Sequence, residues 1–196
     1  MRSADLIGFL GVIERLKCNV RHSWTSDGTP ETVAAHSWRL AVLALLLRDE
    51  FPEADMGRVV EMCLVHDWGE ALTGDIPAFW KSETDEDVER GAVERLLSAL
   101  PEGRRGEYAG IFRELDELKT PEARIFKALD KLEAVISHNE ASLDTWLPLE
   151  RELNLTYGEA ECAEFPVLRE LREEARRMSI KKLEEADASP SSNPAG

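Results

Sequence analysis

Cysteine is scarce in this chain. Cys18, Cys63 and Cys162 make an odd count, with no CxxC and no Cys/His cluster. That argues against a disulfide scaffold and a thiolate zinc site, and for free buried thiols in a reducing compartment. Long hydrophobic runs are also missing. The longest, LAVLALLL at 40–47, is too short to span a bilayer. The N-terminal stretch MRSADLIGFLGVIERLK mixes acidic and basic residues into its apolar pattern and has no cleavage-site signature. It reads as an amphipathic helix and not a signal peptide, so a cytoplasmic protein with no membrane partner is expected. Positive charge is short as well: 24 Lys and Arg stand against 39 Asp and Glu, a net charge of -15. Such a field repels a nucleic-acid backbone and disfavours a polymeric partner. A small phosphorylated substrate stays open, because a metal ion and one arginine can reverse the sign locally.

What is present is helical periodicity. No segment sustains strand alternation, which predicts an all-α fold. At 196 residues and 43% hydrophobic content the chain can build one domain with a substantial core. Helices are expected over about 3–17, 32–51, 55–72, 83–100, 103–118, 121–146 and 166–185. Between the first two, Asp27-Gly28-Thr29-Pro30 punctuates a loop. Gly74 and Pro77 stop the third helix. Thr120-Pro121 looks like a cap with proline at the first helical position. The acidic run 83–94 reads as a solvated face. The ending ADASPSSNPAG is small, polar and proline-containing, so a disordered tail is expected over 187–196 after a domain of 1–186.

The chemistry concentrates at His66-Asp67 in VHDWGEALTGDIP. On one continuous helix His66, Asp67 and Glu70 would share a side. Burying such charges together is costly unless a cation or a proton compensates. His36, on the apolar stripe of the second helix, and Asp130, beside the stripe of the sixth, can complete a mononuclear set from three helices; the core 32–140 would then hold the metal. Taken singly, His36 also fits a hydrogen-bonded core histidine, and Asp130 a partner of Lys127 or Lys131. Mixed nitrogen and oxygen ligands suit Mn, Fe, Co, Ni or Zn better than calcium. Such an ion would acidify water and polarise a phosphoryl oxygen. Glu70 is then placed as general base. Asp75 is either a turn aspartate or a cavity residue, acting as general acid or accepting from a sugar hydroxyl. Arg21 suits phosphate oxygens. Trp24, and more weakly His22, can wall a base pocket. His138 reads as surface or interface.

The blocks TVAAHSWRLAVLALLL, CLVHDWGEALTGDIP and ARIFKALDKLEAVI resemble those of the HD-domain metal-dependent phosphohydrolases. The resemblance is closer to the small 5′-deoxynucleotidase branch and covers about 6–146. It implies an HD-domain helical bundle, commonly a homodimer, that hydrolyses deoxyribonucleoside 5′-monophosphates. It implies His36, His66, Asp67 and Asp130 as metal ligands, Glu70 as activator of the attacking water and Arg21 as the phosphate-orienting residue. Asp75, Ile76 and Pro77 match the loop lining the nucleotide site. The residue after the arginine differs between members and is His22 here, which leaves base preference open. No histidine lies between Asp67 and Asp130, where dinuclear HD proteins carry extra ones, so a single ion is expected. The alternatives are a compact deoxynucleoside triphosphate triphosphohydrolase and a non-catalytic nucleotide-binding protein.

Overall fold

The computed structural model describes residues 2–188. The helices are α1 (Ser3–Ile13), α2 (Val33–Leu46), α3 (Met56–Val65), α4 (Glu70–Thr73), α5 (Glu83–Ser98), α6 (Glu102–Glu117), α7 (Pro121–Glu140), α8 (Glu150–Thr156), α9 (Glu159–Ala163) and α10 (Pro166–Ala188). Short 3-10 turns follow α1, α2 and α7. Helix starts follow side-chain chemistry. Thr32, Asp55 and Thr120 accept from the backbone N–H groups of Ala35, Arg58 and Ala123. Ser82 and Asp85 form a reciprocal capping box at the start of α5. Each cap contributes about 1 kcal/mol by satisfying an N–H that the helix leaves free.

Helix α7 is the hub. It packs on α2 and α3 on one side and on α9 and α10 on another. Leu40, Val59, Met62, Leu129, Leu132 and Leu168 are fully buried between these helices. Each such side chain contributes roughly 1.5–3 kcal/mol. A second apolar cluster joins Phe9 of α1 to Val93, Leu96 and Leu97 of α5. The C-terminal half is held by buried polar ties. Arg172 donates to the carbonyls of Tyr157 and Asn154 at 2.7 and 3.0 Å, and Asn139 donates to the Ala175 carbonyl at 2.8 Å.

Several boundaries differ from the sequence expectation. The loop before α2 is a hairpin, β1 (Val20–Trp24) paired antiparallel with β2 (Pro30–Thr32). Asp27 Oδ1 accepts from the Thr29 N–H at 3.0 Å, and Gly28 adopts φ 84° to close the turn. Two strands this short leave little alternation to read. The third helix is not continuous over 55–72. Regular α bonding ends at Val65, and the next bonds span three residues: Trp68 to Val65, Glu70 to Asp67, Leu72 to Gly69. The chain tightens into a 3-10-like turn at the His-Asp pair itself. The second helix ends at Leu46, and α7 ends at Glu140 and not near Trp146. The unexpected α8 and α9 follow. Helix α10 runs through Ala188, so Asp187 and Ala188 are helical; the rest of the expected tail, 189–196, lies outside the described residues. Cys63 and Cys162 are free and buried as expected, but Cys18 is exposed, because it follows the turn that ends the first helix.

Candidate metal centre

His36 projects from α2 into the core and is fully buried. Its Nδ1 lies 2.6 Å from Glu133 Oε2, so Nδ1–H donates to that carboxyl group. The Nε2 lone pair therefore faces inward. It stands 3.3 Å from Asp130 Oδ1 and has no aligned hydrogen-bond partner. His66 closes α3, and its Nδ1 is 3.1 Å from the Cys63 carbonyl, which can only accept. Its Nε2 lone pair is thus turned to the same point, 2.9 Å from Asp67 Oδ2 and 4.0 Å from Asp130 Oδ1. Donor atoms of His36, His66 and Asp67 all lie within 4.8 Å of one another. Two imidazole Nε2 atoms and two carboxylates converge, with both Nδ1–H groups spent on other acceptors. That arrangement repels itself unless a proton or a metal cation sits among the four atoms. The donor set fits a first-row divalent ion, with each ring oriented by a second hydrogen bond.

The charges support the same reading. Burial raises the Asp130 carboxyl, but Lys127, His36 and His66 outweigh it and hold it well below the usual carboxylate range. Asp67 is likewise lowered, burial being outweighed by His66, His36 and Arg21. His36 is pulled down by burial and by Arg21, yet Asp130 and Glu133 lift it to about 9. Without a cation the site thus draws a proton onto His36; a divalent ion would take that proton's place.

Glu70 opens α4, one tight turn beyond Asp67. It is buried, its Oε2 has no hydrogen-bond partner, and its backbone carbonyl accepts from Asn19 Nδ2 at 2.5 Å. Burial, reinforced by Asp67, Asp75 and Glu89, pushes its carboxyl up to about 10. Arg21, on β1, lies 3.4 Å from Glu31 and 3.9 Å from Glu133. Burial disfavours its charge, but Glu133, Asp67, Glu31 and Asp130 keep it protonated. Asp75, the last residue of the stop Thr73-Gly74-Asp75, is raised by burial.

A cavity of about 500 Å³ opens over the cluster. Its wall includes His36, His66, Asp67, Asp130 and Glu70, with Arg21, Asp75 and Ile76 around them. Lys81 and Lys127 add two further cations. The wall as a whole stays acidic, with Glu86, Glu89 and Asp116 also lining it, so these cations and a bound metal ion would together have to hold a phosphate. Pro77 and His22 line a smaller adjoining cavity, and Trp24 packs edge-on against the His22 ring, centroids 4.9 Å apart.

Two expectations need correction. His138 is not a surface residue: it is half-buried, lines the smaller cavity and contacts the His22 carbonyl at 3.3 Å. The acidic run of α5 is not wholly solvated, for Glu86 and Glu89 line the larger cavity and Glu89 pairs with Lys81. Glu133, the partner of His36, was missed. Its signal was its place three residues after Asp130, on the same face of a helix. Glu31 was missed too, because its role depends on the hairpin.

The HD domain family model matches residues 13–166. The chain is 32% identical over 140 residues to the 5′-deoxynucleotidase HDDC2 of Bos taurus, covering 69% of this chain and 67% of that protein. It is 28% identical over 173 residues to the 5′-deoxynucleotidase hdd1 of Schizosaccharomyces pombe, covering 84% and 80%. The crystal structure of a predicted metal-dependent phosphohydrolase from Magnetospirillum magnetotacticum superposes with a TM-score of 0.78 at 28% identity, over 96% of each chain. With the matched region spanning every ligand candidate from His36 to Asp130, this chain belongs to the HD domain family.

Proposed function

We propose that the chain is a metal-dependent phosphomonoesterase that hydrolyses deoxyribonucleoside 5′-monophosphates to deoxynucleoside and orthophosphate. The observation that carries this reading is the convergence of two Nε2 lone pairs and two carboxylates beside a buried, unpartnered Glu70 and a charged Arg21, all on one cavity. The names of the curated relatives support the substrate class.

His36, His66, Asp67 and Asp130 would hold one divalent transition ion, among Mn, Fe, Co, Ni and Zn. When bound, that ion supplies a Lewis acid for the phosphoryl group and lowers the pKa of water. Arg21 binds and orients the phosphate oxygens through its planar fork. Glu70 Oε2 has no other partner; burial and the charge of Asp67 hold its proton while no cation is bound, and with Asp67 neutralised by a divalent ion it is free to take the proton of the attacking water. Asp75, on the same cavity wall, serves as general acid toward the leaving 5′-oxygen or accepts from the sugar 3′-hydroxyl. Ile76, Pro77, His22 and Trp24 shape the walls for sugar and base.

A homodimer in the cytoplasm belongs to the same reading. The exposed Trp38, Leu45 and Leu46 on one face of α2 support the dimer, and the free buried thiols Cys63 and Cys162 support a reducing compartment. Among the described residues no helix is long and apolar enough to cross a membrane.

The test is to incubate the metal-loaded protein with nucleoside mono- and triphosphates and identify the product. Orthophosphate from deoxynucleoside monophosphates is expected. Triphosphate released from deoxynucleoside triphosphates alone would assign the triphosphohydrolase reaction instead.

A further inference from the structure

The smaller cavity, about 110 Å³, adjoins the larger one behind Arg21 and Asp75, which line both. It is mostly walled by ring and aliphatic groups, including Phe79 and Tyr157. Glu150 breaks that pattern. Its side chain is 2% exposed. One carboxyl oxygen, Oε2, is fully occupied: it accepts from the Leu147 N–H at 2.6 Å and meets His22 Nε2 at 3.3 Å. The other, Oε1, is buried and has no hydrogen-bond partner. His138 Nε2 is the nearest basic atom at 3.8 Å, too far to bond, and its proton is directed to the His22 carbonyl at 3.3 Å. A buried acceptor left unsatisfied is costly, so Oε1 gains from any donor that enters the cavity.

We propose that this cavity holds the nucleobase and that Glu150 Oε1 selects bases carrying an exocyclic amino group, an inference that rests on the deoxynucleotide reading above. With the phosphate at Arg21, the sugar lies beside Asp75 and the base points into the adjoining cavity. Phe79 and Tyr157 supply faces against which a planar ring packs. An amino group at the ring's rim reaches Oε1 as an isolated donor. An oxo group at the same position brings one lone pair against another. The imino N–H of an oxo base has a carbonyl oxygen beside it, on both sides in uracil and on one side in hypoxanthine, so its approach to a carboxyl oxygen brings that repulsion with it. A site built to accept one hydrogen bond rejects the analogue lacking the donor, because its own polar atom then stays unpaired.

The experiment compares kcat/KM within two pairs that differ only in amino against oxo: dCMP with dUMP, and the deoxyadenosine with the deoxyinosine monophosphate. The amino member is expected to be preferred by about 10- to 100-fold, the scale of one buried acceptor gained or lost. In Glu150→Gln the side chain keeps an oxygen for the Leu147 N–H and turns an amide N–H₂ toward the base. The preference should then fall to within about threefold of unity or invert. A purely structural loss would slow both members alike and leave the ratio intact, so a folded variant with the wild-type ratio overturns the role of Glu150. Wild-type ratios near one in both pairs, or a preference for the oxo members, overturn the proposal even if the variant fails to fold. Failure to hydrolyse any deoxynucleotide overturns the function itself and the base assignment with it.

Discussion

At the residue scale the centre depends on which atom of each side chain is left over. His36 and His66 each give up Nδ1–H to a fixed acceptor, so Nε2 is the atom that remains. Asp67→Ala should therefore abolish both metal binding and activity, since it removes a ligand and half of the neutralising charge; metal content per chain after dialysis checks this. Glu70→Gln should keep the ion and the nucleotide but lower turnover by about 10²–10⁴-fold, read as kcat beside a metal titration. Near-normal turnover would move the proton transfer to Asp75. Glu133 touches His36 and no substrate, so it is a positioning residue. Glu133→Gln should weaken metal affinity by about 10–100-fold, measured calorimetrically, while the fold persists. An unchanged affinity would mean that burial alone orients His36.

At the element scale the turn at 66–69 governs the site. Continuing α3 as a regular helix would carry Asp67 and Glu70 around at 100° per residue; tightening to three-residue hydrogen bonds turns both toward α2 and α7. Gly69 makes room for that turn. A Cβ there would stand 2.9 Å from Glu89 Cγ, 3.1 Å from Val93 Cγ2 and 3.2 Å from the Glu89 carbonyl oxygen. Gly69→Ala should destabilise the protein by about 1–3 kcal/mol by pushing α5 away, seen as a shifted denaturant midpoint at constant slope. A variant as stable as the wild type would show that α5 yields at no cost. The hairpin has a comparable part: it delivers Arg21 from one strand and Glu31 from the other to the same wall, 3.4 Å apart.

At the scale of the whole molecule, three helices and a hairpin far apart in sequence share one charged centre inside an apolar core. Filling it should therefore stabilise the fold. Adding a divalent ion at about 100 times its Kd should contribute about 2.7 kcal/mol, visible as a raised Tm that a chelator reverses. A Tm indifferent to metal and chelator would count against a preformed site. Composition, periodicity and a few motifs were enough to read an all-α chain, its helix cap at Thr120, and the candidates His36, His66, Asp67, Glu70, Asp75 and Asp130. Those features are local: a cap, a stripe or an H-D pair is written in neighbouring residues. The hairpin, the break at His66, the bond from Glu133 to His36 and the cavity before Glu150 were not legible in that way. The hairpin strands are too short to show alternation, and the others depend on residues far apart in sequence, such as Gly69 with Glu89, His36 with Glu133 and His22 with Glu150. Local propensity carries no information about which distant side chain arrives opposite. Only the packing of α7 against α2, α3 and the hairpin decides which carboxyl groups meet a donor and which are left facing an open cavity.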